Sequence, residues 1–110
     1  MKILFTSKSQ GMDALLDPHF GRAKGFILYD TEKKSDKWID NTENHNAAHG
    51  AGTQATQKVI EQNPDAIITG SVGPKASAVL AQTNIKIYLA EEKKLSEILQ
   101  EFTEGKLKLL

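Results

Sequence analysis

Two short apolar runs, Phe26-Ile27-Leu28-Tyr29 and a Lys37 to Asp40 segment carrying Trp38 and Ile39, are parted only by the polar stretch Asp30 to Asp36. A parallel return between two strands needs a crossover of roughly a dozen residues, so a gap this brief makes the pair antiparallel. Ahead of them, Ile3 to Phe5 has no helical period and reads as a buried strand. Thr6 to Gln10 is polar, Gly11 closes it into a loop, and Ala14 to Leu16 reads as a short extended piece.

Beyond Asp40 the period changes. Asn41 to Gly52 is a polar loop holding Asn44, His45, Asn46 and His49 and ending in Gly50-Ala51-Gly52. Ala55 and Val59, with Thr56 and Ile60 beside them, recur at helical spacing and predict a helix from Gly52 to Gln62, stopped by Asn63-Pro64. Ala66 to Thr69 is the next strand. After Gly70-Ser71-Val72-Gly73, Pro74 takes the place of a first helical residue, with Ala76, Val79 and Leu80 as the expected buried stripe and Asn84 as the stop. Ile85 to Leu89 forms the last expected strand. Leu95, Ile98, Leu99 and Phe102 fall at i, i+3, i+4 and i+7, Gly105 ends that helix, and Lys106 to Leu110 is a tail whose leucines are expected to pack back onto the sheet. An antiparallel opening followed by alternating units implies one α/β domain over residues 1–110, with a mixed sheet and helices on its faces.

Binding sites in such folds lie beyond the carboxyl ends of the parallel strands, here the loops after Phe5, Asp40 and Thr69. The stretch Asp17-Pro18-His19-Phe20-Gly21-Arg22-Ala23-Lys24-Gly25-Phe26 ends the first of these connections. Pro18 and Gly21 break any continuous helix or strand, which puts His19 and Arg22 on a turn able to aim an imidazole and a guanidinium at an anionic ligand that accepts nitrogen donors. The plainer reading has Phe20 plugging the core, His19 capping the turn and Arg22 in solvent. Gly50-Ala51-Gly52 and Gly70 to Gly73 each lead into a helix start, where unpaired N–H groups favour anions; taken singly, such glycines equally serve ordinary turn geometry. Gly70-Ser71-Val72-Gly73-Pro74-Lys75 lacks the spacing and the Lys-Ser/Thr pair of a P-loop. His45 and His49, four apart, would share a helix face, but without a carboxylate or third ligand at fixed spacing solvated loop histidines remain the default over a zinc site.

Composition narrows the classes. The formal net charge is zero, with 25% charged and 39% hydrophobic residues, which suits a globular protein and argues against a nucleic-acid binder working by bulk charge. No apolar run approaches a membrane span and Met1-Lys2 leads straight into a strand, so a cytoplasmic location away from membranes is expected. Cysteine is absent, which removes disulfides, thiolate nucleophiles and thiolate ligation of iron–sulfur clusters; any metal must rely on His19, His45, His49, carboxylates or ligands that arrive with it. A ribonuclease H type nuclease needs carboxylates on its first strand, and Lys2-Ile3-Leu4-Phe5-Thr6 has none. Ser71 and Ser77 have no glycine-framed nucleophile turn or neighbouring histidine in the sequence, so no catalytic residues are expected and the chain reads as a non-enzyme.

Taken together, Asp17-Pro18-His19-Phe20-Gly21-Arg22-Ala23 leading to Phe26 and Tyr29-Asp30, Gly50-Ala51-Gly52, Asp65 to Gly70 with Gly73-Pro74-Lys75-Ala76, Ile85 to Tyr88, and Phe102 with Gly105-Lys106-Leu107 resemble the dinitrogenase iron–molybdenum cofactor biosynthesis family. The resemblance spans nearly the whole chain. It implies a ribonuclease H-like motif in three α/β/α layers, with a five-stranded mixed sheet in order 3-2-1-4-5 and strand two antiparallel. It also implies binding or carriage of iron–molybdenum cofactor or a related metal–sulfur cluster, with cluster-assembly or acceptor proteins as partners and a histidine at the position of His19 implicated in holding the cluster. Gly21, Arg22, Gly50, Gly52, Gly70 and Gly73 are the expected accompanying contacts. A preassembled cluster brings its own sulfides, so such a carrier needs few nitrogen ligands and no cysteine. The alternative is a small regulatory or protein-interaction module of the same fold with no cluster, and a phosphate- or nucleotide-handling enzyme is a further alternative.

Overall fold

The computed structural model describes residues 1–45 and 51–110. Its elements run β1 (Lys2–Ser7), β2 (Gly25–Asp30), β3 (Ser35–Asp40), α1 (Thr42–His45), α2 (Ala51–Glu61), β4 (Ala66–Thr69), α3 (Pro74–Leu80), β5 (Lys86–Leu89), α4 (Leu95–Thr103) and β6 (Lys108–Leu109). One sheet holds all the strands in the order β3-β2-β1-β4-β5-β6. β2 is antiparallel to β1 and to β3, β1 is parallel to β4 and β4 to β5, so the carboxyl ends of β1, β3, β4 and β5 share one edge.

Side-chain alternation explains the layers. Leu4, Phe26, Ile67 and Ile87 face one way, under Ala55 and Val59 of α2 and Ala76 and Leu80 of α3. Ile3, Phe5, Ile27 and Ile68 face the other way, under Leu95 and Ile98 of α4. With helices on both faces, β1 is buried from Ile3 to Ser7 and reads as a continuous apolar run rather than an alternating one.

Local chemistry sets the boundaries. Asn63 takes a left-handed φ of 52° after α2, a conformation that Asn tolerates better than most side chains. Pro74 opens α3 behind an extended Gly73. Gly105, at φ 73°, donates to the Phe102 carbonyl while Lys106 donates to Glu101, which is the paired closure of a Schellman motif at the end of α4. The Trp38 indole lies across Gly25 so closely that a Cβ there would sit 2.2 Å from the ring, so any side chain at this position would displace the indole.

Two expectations are corrected. The sheet has six strands, not five: after Gly105 the chain turns back along the free edge of β5, where Lys108 and Leu109 pair with Leu89 and Tyr88 and Leu110 donates to the Ile87 carbonyl at 2.8 Å. Leu107 packs on the α4 layer, but Leu109 and Leu110 stay more than half exposed, since pairing at an edge satisfies backbone groups without covering both sides of the strand. Val79 is 41% exposed rather than part of the stripe. The buried face of this seven-residue helix is Ala76 and Leu80 with Ser77 at its margin, and Val79 falls beyond it. Among the described residues, no helix is long and apolar enough to cross a membrane.

Candidate functional site

β1 and β4 are neighbours, yet the chain leaves β1 toward β2 and β3 on one side and returns to β4 on the other. Their carboxyl ends therefore flank the topological switch point, where α/β sheets open a crevice. The connection from β1 to β2 runs along this edge. Leu16 donates to the Lys93 carbonyl, while Leu95 and Ser96 donate back to Ala14 and Met12, so the first backbone N–H groups of α4 are taken up by this connection.

At the switch point the connection is fixed by buried hydroxyls. Asp17 donates its N–H to the Thr6 carbonyl at 3.0 Å, and its own carbonyl receives the Thr6 hydroxyl at 2.6 Å. Thr6 Oγ1 also lies 2.9 Å from Thr69 Oγ1. A hydroxyl carries one proton, so with that of Thr6 on the Asp17 carbonyl, the Thr69 hydroxyl completes the second contact. Both threonines are fully buried, and they join the ends of β1 and β4 to the turn above them.

From Asp17 onward the turn is determined residue by residue. The position before proline favours extended backbone, and the nearly buried Asp17 carboxylate accepts the main-chain N–H of His19 at 3.1 Å, closing an Asx turn. Pro18 presses on Gly70: a Cβ there would lie 2.7 Å from Pro18 Cα and 2.8 Å from its carbonyl oxygen, so only glycine permits the approach. Phe20 donates its N–H to the Ser71 carbonyl at 3.2 Å and buries its ring against Phe26, with centroids 6.0 Å apart. His19 itself is exposed between these two buried neighbours and forms a parallel bridge with Ser71. Its imidazole is thus mounted outward on a backbone gripped from below, before and after.

Arg22 is exposed at the end of the same turn, and Gly21 is half-buried within it. Asn41, fully buried just after β3, donates from its side chain to the Ala23 carbonyl at 2.8 Å and from its backbone to Lys24 at 3.0 Å. This brings the start of α1 to the turn. At the start of α1 the Asp40 carboxylate accepts the Thr42 hydroxyl at 2.6 Å, and that hydrogen bond is the main cause holding its carboxyl below the ordinary carboxylate range.

Of the residues singled out in the sequence, His19, Gly21, Arg22, Gly70 and Gly73 gather around this turn and the β4–α3 loop. Gly73 meets nothing within 4 Å of a built Cβ and has an ordinary extended backbone, so no contact within the protein requires glycine there. His45 ends α1 and Gly52 lies in the first turn of α2, whereas His49, Gly50 and the His45 imidazole lie outside the described residues. Asp17, Thr6, Thr69, Ser71 and Asn41 were not singled out as site residues. Asp17 and Asn41 had a readable signal, an Asx residue at a turn and one directly after a strand, but the long-range partners of the threonines had none.

Ser71 has a histidine beside it in space, although none adjoins it in sequence. The groups make no nucleophilic relay: the Asp17 carboxylate holds the His19 main chain, and the Ser71 hydroxyl donates to the Pro18 carbonyl at 3.1 Å. No cluster of three or more His, Asp or Glu side chains is found among the described residues. One outward imidazole, a nearby guanidinium and an open glycine suit a preassembled anionic body with its own ligands better than a bare ion needing a full protein donor set.

Residues 1–105 match the family model described as dinitrogenase iron–molybdenum cofactor. An uncharacterised protein of Methanocaldococcus jannaschii is 37% identical over 95 residues, 84% of this chain and 80% of that one. Among solved structures, the apo form of the orange protein from Desulfovibrio gigas superposes with a TM-score of 0.93 at 33% identity, covering 99% of this chain and 92% of that one. A Thermotoga protein described as belonging to the DUF35 family gives a TM-score of 0.86 at 28% identity, with the same coverage.

Proposed function

This chain belongs to the dinitrogenase iron–molybdenum cofactor family, and from that premise we propose that it is a non-catalytic binding or carrier protein for an iron–molybdenum or related metal–sulfur cluster, working in the cytoplasm with cluster-assembly and acceptor proteins. The observation that carries the reading is the mounting of His19, exposed between the buried Asp17 and Phe20 on the turn that covers the carboxyl ends of β1 and β4. His19 is the metal ligand. Arg22 supplies counter-charge, Gly21 and Gly73 let the cluster approach the main chain, and Gly70 admits Pro18 and so seats the turn that carries His19; Gly50 and Gly52, at the entry to α2 in the sequence, are the second anion contact, and His45 and His49 are further nitrogen donors. One strong ligand among weak contacts suits delivery, because cargo must also leave. The absence of cysteine supports a preassembled cluster over one built on the protein.

Anaerobic incubation with isolated iron–molybdenum cofactor, followed by gel filtration and metal analysis, tests this. Wild type is expected to carry iron and molybdenum through the column and His19→Ala to elute without them. Equal retention by the two proteins removes His19 as the ligand.

A second reading, an interaction module with no cluster, draws on the groove of about 400 Å³ between Leu80 and Ala81, Ile85 to Ile87, and the exposed Leu109 and Leu110. It predicts a metal-free protein whose partner is lost on Leu109→Asp and kept on His19→Ala.

A further inference from the structure

We infer that Ser71 is a second direct contact for the cargo, its hydroxyl donating a hydrogen bond to a sulfide of the cluster that His19 ligates; the inference rests on the cluster-binding reading above. It starts from strand register. His19 and Ser71 form a parallel bridge, and residues paired in parallel present their side chains on the same face of the ribbon, while the next residue along each strand presents the opposite face. Burial agrees with this at all four positions. Phe20 and Val72 pack on the α2/α3 core, whereas His19 and Ser71 are exposed. The two side chains therefore leave the same face of the ribbon from backbones about one strand spacing apart, roughly 4.8 Å. A cluster several ångströms across, held at the ring, also covers the serine.

The hydroxyl is also free enough to serve. Its bond to the Pro18 carbonyl is 3.1 Å, long for an O–H donor, whose usual distance is about 2.7–2.8 Å. The buried Thr6 hydroxyl, at 2.6 Å from the Asp17 carbonyl, shows what a committed hydroxyl looks like in the same loop system. Turning Ser71 about χ1 gives up a weak, solvent-exposed bond, and an anionic sulfide offers a charge-assisted one in exchange. Thr6 and Thr69 are fully buried and tied to each other, so neither is placed to do this. The pair divides the labour: nitrogen on a metal, hydroxyl on a sulfide.

The test uses isolated iron–molybdenum cofactor under anaerobic conditions with wild type, His19→Ala, Ser71→Ala and Ser71→Thr. Affinity is read by titration, the sulfide-to-metal absorption bands by optical spectroscopy, and the hydrogen-exchange protection of the His19 and Phe20 amides by NMR of the unloaded proteins. Ser71→Ala is expected to weaken binding about tenfold and shift the bands, with the exchange protection of both amides unchanged, and Ser71→Thr to restore affinity and bands. If His19→Ala loses the cofactor while Ser71→Ala matches wild type in affinity and spectrum, the serine contact is overturned and the ligand role of His19 stands. If binding falls with faster exchange at these amides and unshifted bands, Ser71 supports the turn only, and the direct contact is likewise overturned. Equal binding by wild type and His19→Ala removes His19 as the ligand and with it the paired contact, whereas no binding by either protein removes the underlying reading itself.

Discussion

On one face of the sheet the core includes Phe20, the residue that follows His19 in the turn; on the other, the fully buried side chains come from strands, from α4 and from Leu16. The first layer therefore holds the fold and the candidate site with the same side chain, while the second reaches the site only through Leu16 and the connection ahead of the turn. A loss of stability on the α4 face should leave the turn as it is in every molecule that remains folded, and a loss at Phe20 should not.

The largest effects test that division directly. Phe20→Ala is expected to cost about 3–5 kcal/mol and Ile98→Ala about 2–5 kcal/mol in chemical denaturation, both being fully enclosed large-to-small changes. Cofactor affinity per folded molecule is expected to fall for Phe20→Ala and to stay at the wild-type value for Ile98→Ala. A matched fall in both variants would break the comparison.

Next in size is a contrast within the β4–α3 loop. Gly70→Ala drives a Cβ to 2.7 Å from the Pro18 backbone, which has no flexible end to yield, and is expected to cost about 1–3 kcal/mol and displace the turn. Gly73→Ala enters open space at an ordinary φ and is expected to cost less than about 1 kcal/mol, the difference between two helix-capping residues. Thermal melts separate the two. If Gly73→Ala keeps full stability and still loses the cofactor, the open glycine is where cargo approaches the backbone.

Asp17 gives a smaller and more local effect. Removing its carboxylate in Asp17→Ala leaves the His19 N–H without its acceptor, at a cost of about 1–2 kcal/mol, and should speed hydrogen exchange at that amide. Asp17→Asn keeps an oxygen in place and is expected to stay near wild type in both measurements. Equal behaviour of the two variants would mean that the Asx turn does not hold His19.

The reach of the sequence follows from the range of the interactions involved. Antiparallel pairing of β2 with β3, the α2 and α4 stripes and the stops at Asn63 and Gly105 depend on spacing within a dozen residues, and all of these were legible. That the 17–22 turn meets Gly70 was inferred from topology alone, and the close approach of Pro18 to Gly70 fits it. Thr6 and Thr69 were not legible, since two threonines 63 positions apart show no pattern until β1 and β4 come into register. β6 was missed for another reason. Lys106-Leu107-Lys108-Leu109 does alternate with the strand period, but so short a run gains strand character only from the free edge of β5 beside it.

The smallest expected effect is a pH response that differs between the two faces. On the site side, the Thr42 hydroxyl and then the Thr42 N–H stabilise ionised Asp40, so its carboxyl lies below the ordinary value of 3.8. A folded-state value below the unfolded one contributes stability that is complete above the unfolded value and lost as pH falls through the folded one. On the α4 side, Lys93 bonds Glu101 at 2.9 Å, and this bond lifts its ammonium above 10.5. Its contribution is complete below the unfolded value and lost as pH rises through the folded one. Acid should therefore loosen the Asp40–Thr42 contact at the start of α1, and strong alkali the Lys93–Glu101 bridge along α4. Followed by NMR, the Thr42 amide is expected to move below about pH 4 and the Glu101 side-chain signal above about pH 10. Asp40→Asn is expected to abolish the first movement and leave the second. A shared transition at both places would show that the two faces melt as one unit, so that stability and site geometry cannot be separated by the chemistry of either edge.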